Sequence, residues 1–457
     1  MGLKLDWEIE AEQAQVRNVG EDVESIRQRR RARIRVLLVI LFVLLLFAAG
    51  ALAIVLRLRY VESLIEDNLR NTVEAEVAAL RIGDRSAYLG IQRSATEDWL
   101  HAQERNFDAY QSLKTLQNTQ LTGHIHNVTI DGNRARVVVE EIIDGVPYAR
   151  VWFYWNYEDG WRHVPPDTTF WGEVRSLSGT GLTIRYRALD EPLAAAMLPK
   201  VEAWLEDGCE ILGCATLPSL TFEIVPTDVS EPLWSPANPW SMQIPSPSID
   251  RVRLDQPFSP SLQVPVANLL ASRLVDQAVD NRQLDPYSDA AYLRRAAGDW
   301  LAGRFTEAQE QSVLVDSLAQ IYGLDSVRRL LHLLQPESDI QVLTEVTGMP
   351  SLDQTGLRWD DFLEWRLNLE SELILNRDEA NFLRLYDTGD ETARTLAYNR
   401  FAQGVAPGPN EVVAVTAGTD AAGTPLLHVR VQTSNEISLS ESEVVFRLVE
   451  GSWKRLN

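Results

Sequence analysis

The sequence predicts an α+β protein behind a single membrane-spanning helix near the N-terminus: an α+β domain, a mostly helical domain, and a second α+β domain. Three observations carry that prediction. Residues 36–56, VLLVILFVLLLFAAGALAIVL, hold no charge, and an apolar helix of that length, at about 1.5 Å per residue, is about as long as a bilayer core is thick. After it the apolar spacing is helical until about residue 116 and then alternates, with Asp131-Gly132, Asp144-Gly145 and Asp159-Gly160 as hairpin turn signals. The order of helices, alternating runs and an acidic-Gly turn before a Trp returns near the C-terminus, where Gly451 and Trp453 stand as Gly160 and Trp161 do.

Residues 1–35 read as a polar tail. Arg27, Arg29, Arg30, Arg31, Arg33 and Arg35 precede the apolar run, against Arg57 and Arg59 after it. The positive-inside bias therefore puts the N-terminus in the cytoplasm and the bulk of the chain outside it, in a cell membrane, with these arginines as the topogenic residues. A cleaved signal peptide is the rival, since Ala48-Ala49-Gly50-Ala51 offers small residues to a peptidase. Both the charged and the apolar regions are long for a signal, which favours an uncleaved anchor.

Beyond residue 56 stand 35 basic and 58 acidic side chains, a net charge of −23. Such a surface repels nucleic acid and anionic headgroups and suits a basic partner. Only four lysines stand beside thirty-nine arginines, a composition that suggests a bacterium of high genomic GC content. Cys209 and Cys214 are the only cysteines. On the exported side a disulfide is the default reading, the alternative being two unpaired thiols, because a regular helix through 209–214 would hold the sulfurs apart.

In chain order, residues 60–116 carry an apolar helical stripe that includes Val61, Leu64, Ile65, Leu69, Val73, Val77 and Leu80, interrupted at Gly83-Asp84. Strands are expected at 122–130, 134–143, 146–157 and 161–165. That order, closing on YEDGWRHVPPDTTFWG, resembles the SnoaL-like cone of the nuclear transport factor 2-like superfamily over residues 60–175. The resemblance implies a curved sheet around a helical layer. Enzymatic members place acid, base and phenol groups inside the cone, and His124, His126, His163, Tyr148 and Tyr154 are the side chains available for such roles.

Residues 172–181 read as a linker. A strand at 182–187, a helix at 193–205, the Cys pair and a strand at 220–225 follow, then a Pro/Trp-rich stretch at 232–247 and helices at 264–279, 292–305 and 312–334. Tyr322-Gly323, LTEVTG at 343–348, Trp359 and Phe362-Leu363 make residues 182–368 similar to the peptidase MA-like gluzincins. Active relatives bind zinc through His-Glu-x-x-His on the first core helix and a glutamate on the next. Here the first helix reads PVANLLASRL and the next AGDWLAG, with Asp299 its one carboxylate, and no histidine lies between His163 and His332. The resemblance therefore implies a pseudopeptidase without metal or cofactor. Residues 370–457 then read as a second SnoaL-like cone.

The chain thus reads as a single-pass, extracytoplasmic protein that binds or scaffolds an envelope protein or peptide without turning it over. Trp234, Trp240, Asp299 and Trp300 are the candidate binding residues. The alternative is a small-molecule lyase, isomerase or carrier using a cone cavity. Walker, Rossmann, G-x-S-x-G and C-x-x-C motifs are all absent.

Overall fold

The computed structural model describes residues 23–214, 219–227, 230–280, 282–307, 312–406, 408–434 and 439–457. The expected polar tail lies outside the described residues as far as position 22. The chain divides into two compact units, the first made of Met1–Leu116, Leu121–Val137 and Trp152–Pro165, the second of the remainder.

In the first unit, α1 (Val23–Ile82) runs through the apolar stretch and past it without a break at Arg57–Tyr60. Its mean hydropathy reaches 3.2, and it is the one helix among the described residues long and apolar enough to cross a membrane, a property that an N-terminal signal sequence shares. Side chains over 36–56 are exposed all round, whereas from Leu69 one face turns inward, with Leu69, Val73, Glu76, Val77 and Leu80 buried. Gly83, at φ +80°, ends the helix in the left-handed region that glycine adopts without strain. Asp84 then caps α2 (Arg85–Ile91) by accepting from the Ala87 N–H at 3.0 Å. α3 (Glu97–Leu116) buries Gln103, Phe107 and Tyr110 at helical spacing. Against these helices lie β1 (Gln120–Asp131), the first half of β2 (Arg134–Ile143), the second half of β3 (Val146–Tyr157) and β4 (Gly160–Val164). β4 pairs antiparallel with β3, setting His163 beside Tyr154.

In the second unit, β5 (Val174–Ser178), β6 (Leu182–Arg187), β7 (Leu220–Val225), β8 (Leu233–Trp234) and β9 (Ser241–Pro245) form a mixed sheet in the order β5-β6-β7-β9-β8. β5 occupies the expected linker. Its only inward side chain, Leu177, is half-buried, so as an edge strand it carries little apolar alternation to read. β6 and β7 run parallel, which requires a crossover, and α4 (Glu191–Leu212) provides it. β10 (Val252–Arg253) pairs with β3 at Ala149 and Tyr148.

Helices α5 (Pro260–Ala278), α6 (Asp289–Thr306), α7 (Val313–Tyr322), α8 (Leu324–Leu333), α9 (Val342–Thr347), α10 (Asp360–Leu375), α11 (Glu379–Arg384) and α12 (Glu391–Gln403) follow. A helix expected over 312–334 is thus two, parted at Gly323 (φ +80°). The chain closes with β11 (Asn410–Thr419), β12 (Pro425–Ser434), β13 (Leu439–Val449) and β14 (Ser452–Arg455), an antiparallel meander. One apolar cluster runs from Ile184 and Phe222 through Leu270, Leu301 and Phe362 to Val429, Phe446 and Trp453. The C-terminal sheet therefore shares a core with the helices, and the boundary expected between 368 and 370 falls inside α10.

Buried ion pairs fasten that join. Arg366 donates to Asp289 at 2.9 Å and to the Trp453 carbonyl at 2.7 Å, and Arg455 donates to Glu370 at 2.7 Å. Replacing one member strands the other charge in the core. We expect Arg366→Met to cost about 3–5 kcal/mol, read from urea unfolding of the full chain in detergent; a loss below about 1 kcal/mol contradicts the assignment. Lys454 reports on the same region, because burial, and after it the neighbouring Arg366, push its ammonium down from 10.5 to about 8. Between those values the unfolded chain binds more protons than the folded one, so stability rises with pH across this window. Lys454→Met flattens the rise, and an unchanged pH profile in that variant would exclude Lys454 as its source.

Candidate functional site

The densest polar chemistry in the first unit centres on Glu76. The residue sits on the inward face of α1 and is fully buried, a position a carboxylate occupies only with donors around it. Three elements supply them. His163, on β4, places Nδ1 at 2.7 Å from Oε1; Gln92, just past α2, donates to the same oxygen at 2.8 Å; and Tyr154, on β3, donates its hydroxyl to Oε2 at 2.8 Å. The register of β3 and β4 brings Tyr154 and His163 side by side, and the Arg93 N–H donates to the His163 carbonyl at 2.8 Å, tying the segment after α2 to β4.

Aromatic rings wall the imidazole. Tyr154 lies 5.1 Å from it, and Trp99 and Trp152 each 5.5 Å, between ring centres. In the neutral tautomer that donates Nδ1–H to the carboxylate, Nε2 is the acceptor, the orientation used by a histidine base. Burial, reinforced by the Glu76 carboxylate, holds the Tyr154 phenol well above its ordinary range, so it stays a donor. The Gln92 Oε1 and Trp99 Nε1 atoms are buried without hydrogen-bond partners.

In the second unit a cleft of about 680 Å³ is lined by Tyr148, Ser230, Ser246, Arg251, Arg253 and Ser259. Its arginines are committed to carboxylates. Arg251 pairs with the buried Glu141 at 3.3 Å, and Arg253 holds Asp255 through two hydrogen bonds of 2.7 and 3.0 Å. The cleft is therefore polar but offers no spare cation to an anion.

The residues nominated from sequence scatter. Asp299 and Trp300 are adjacent on α6 but face apart: Asp299 is exposed, while Trp300 is in the core and packs there. Trp234 and Trp240 meet edge to face at 6.5 Å, half-buried against the core, with the Arg273 guanidinium 4.8 Å from the Trp234 ring. Val266, Leu270 and Leu274 of α5 are buried core residues, and no group of three or more His, Cys, Asp or Glu among the described residues is placed to hold a metal. Cys209 and Cys214 form a disulfide with Cα atoms 4.8 Å apart. α4 ends at Leu212, and Gly213 at φ +73° turns Cys214 back toward Cys209, which a continuing helix would not do. Arg29, Arg30, Arg31, Arg33 and Arg35 are exposed on α1 just before its apolar stretch. Of the five cone candidates, His124 and His126 are exposed on β1, Tyr148 lines the cleft, and only His163 and Tyr154 converge.

Sequence reasoning missed Glu76 and Gln92. Glu76 had a signal, since it interrupts the stripe of Val73, Val77 and Leu80 on the face that must be buried. Gln92 had none. Comparison of the chain with family models, with characterised proteins and with solved structures finds no match. Tyr154→Phe leaves Glu76 Oε2 without its donor and should cost about 1.5–3 kcal/mol of stability, measured by denaturant unfolding; an unchanged midpoint would show that Oε2 needs no donor there.

Proposed function

We propose that this is a single-pass membrane protein whose folded region lies outside the cytoplasm and binds an envelope protein or peptide without turning it over. In this reading residues 60–175 and 370–457 are SnoaL-like modules and residues 182–368 a gluzincin-like module that has lost its chemistry. The observation that carries it is the packing of α5 on α6. Where the resemblance would place a zinc site, the two helices give Val266, Leu270, Leu274, Ala297, Trp300 and Leu301 to one buried apolar cluster, and Asp299 is the one carboxylate within the AGDWLAG stretch. A pocket filled with aliphatic and aromatic side chains can hold a shape but cannot activate water.

A second reading draws on a different observation. The Glu76, His163 and Tyr154 cluster places a carboxylate, an imidazole and a phenol in contact behind aromatic walls, which favours a small-molecule carrier or acid–base enzyme in the first unit. The two readings separate in one experiment. Photo-crosslinking residues are placed over 182–368 in the full-length protein in its native host, and the purified protein is assayed for retained small molecules by mass spectrometry. The binding reading expects a reproducible envelope protein at those positions. A retained small molecule that His163→Ala releases, with no protein captured, reverses the order of the two readings.

A further inference from the structure

The C-terminal sheet has an edge that is half closed and half open. β11 is the outermost strand of the order β11-β12-β13-β14, so its outward N–H and C=O groups need partners other than a neighbouring strand. Over its first residues α10 supplies them from side chains. Asn368 accepts from the Asn410 N–H at 2.8 Å and donates to the Asn410 carbonyl at 3.0 Å, while Glu364 accepts from the Val412 N–H at 3.0 Å.

The strand then bulges at position 413, because Val412 pairs with Val431 while Ala414 pairs with the next residue, Arg430. One extra residue swaps the outward-facing set. Before the bulge the outward groups belong to Asn410 and Val412; after it they belong to Val415, Ala417 and Thr419. Among the described residues, no loop or side chain hydrogen-bonds to these three positions. Together with residues of the loop 353–360 they line a cleft of about 800 Å³, to which the largely buried Leu357, Trp359 and Leu427 present small apolar areas. Trp359 packs edge to face against the buried Trp453 at 6.0 Å.

We propose that this cleft binds an extended peptide segment of a partner protein, which adds to β11 as a further strand through Val415, Ala417 and Thr419. The inference rests on the binding reading above and assigns it a site. Outward backbone groups two residues apart are satisfied by a strand and not by a helix. The apolar wall selects alternate apolar side chains, and the charge selects the sign of the others. The chain carries a net charge of −22, and at the rim Asp353 and Asp360 outnumber Arg358, which pairs with Asp360 at 3.3 Å. The segment is therefore basic. A second copy of this chain, the other occupant an open edge admits, would bring the same negative charge to the interface. The open edge, residues 414–419, is about 20 Å long at roughly 3.3 Å per residue, so the contact is short.

The test is selection of a randomised peptide library, about nine residues long to cover that edge, against the full-length protein in nanodiscs. Enriched sequences should alternate apolar residues with Lys or Arg, and their synthetic copies should bind saturably by fluorescence anisotropy. Ala417→Pro removes one outward N–H at an edge position where proline is tolerated, and it should weaken binding about tenfold, the worth of one hydrogen bond. Ala417→Val keeps that N–H and should bind as the parent does. Slowed amide exchange over 414–419 on peptide addition is expected with it. Equal binding by Ala417→Pro, no enriched sequence, or concentration-dependent dimers that protect the same amides without peptide would each overturn the proposal. Photo-crosslinkers at Asp353 and over 182–340 separate its failure from that of the wider reading. A partner captured only over 182–340 removes this cleft and keeps the binding function; capture at neither removes both.

Discussion

One helix, α1, carries two kinds of surface, and the packing of the first unit follows from the second. Over residues 36–56, α1 is apolar on every side, as a helix in hydrocarbon must be. From Leu69 onward the same helix has one buried face and sits under a sheet. No hinge separates the two regimes, since the helix is unbroken from Val23 to Ile82. Glu76 is where the second regime is fixed. A buried carboxylate on that face stays only because α2's end, β3 and β4 each bring it a donor, so one residue of α1 specifies where three other segments sit.

The second unit solves its join differently. Its mixed sheet, helices and C-terminal meander share one apolar cluster, and apolar packing alone leaves orientation weakly specified. Arg366 and Arg455 supply direction. Each reaches from one element to a carboxylate on another, Arg366 to Asp289 of α6 and Arg455 to Glu370 of α10. Elsewhere the polar groups of this unit are likewise spent on structure: Asp190 accepts from the Trp171 indole at 3.0 Å and from Ser248 at 3.1 Å inside the core. These buried polar contacts tie the strand, loop and helix segments of this unit to one another.

Much of the fold was legible in the residues. The hairpin turns at Asp144-Gly145 and Glu450-Gly451 have both central residues at positive φ, the conformation for which glycine is read in the sequence. The apolar stripes of α5 and α6 gave helices within a few residues of their observed ends, and the break at Gly83-Asp84 marked the end of α1, whose start at Val23 lies well before the apolar run. Less legible was β5, whose short polar run alternates too little to register, and the fusion of the C-terminal sheet with the helical core, because shared cores are long-range contacts that no local period encodes. The site was legible in part. His163 and Tyr154 could be nominated by type, but their convergence on Glu76 follows from strand register, and Trp300 was indistinguishable by sequence from an exposed aromatic.

In the proposed reading the apolar part of α1 stays with the folded region as an anchor. The intact mass and N-terminal sequence of the protein extracted from its native membranes test it directly. A mature chain that still contains residues 36–56 and resists alkaline carbonate extraction is the predicted result. A chain beginning just after the Ala48–Ala51 cluster and recovered in the soluble fraction would contradict it.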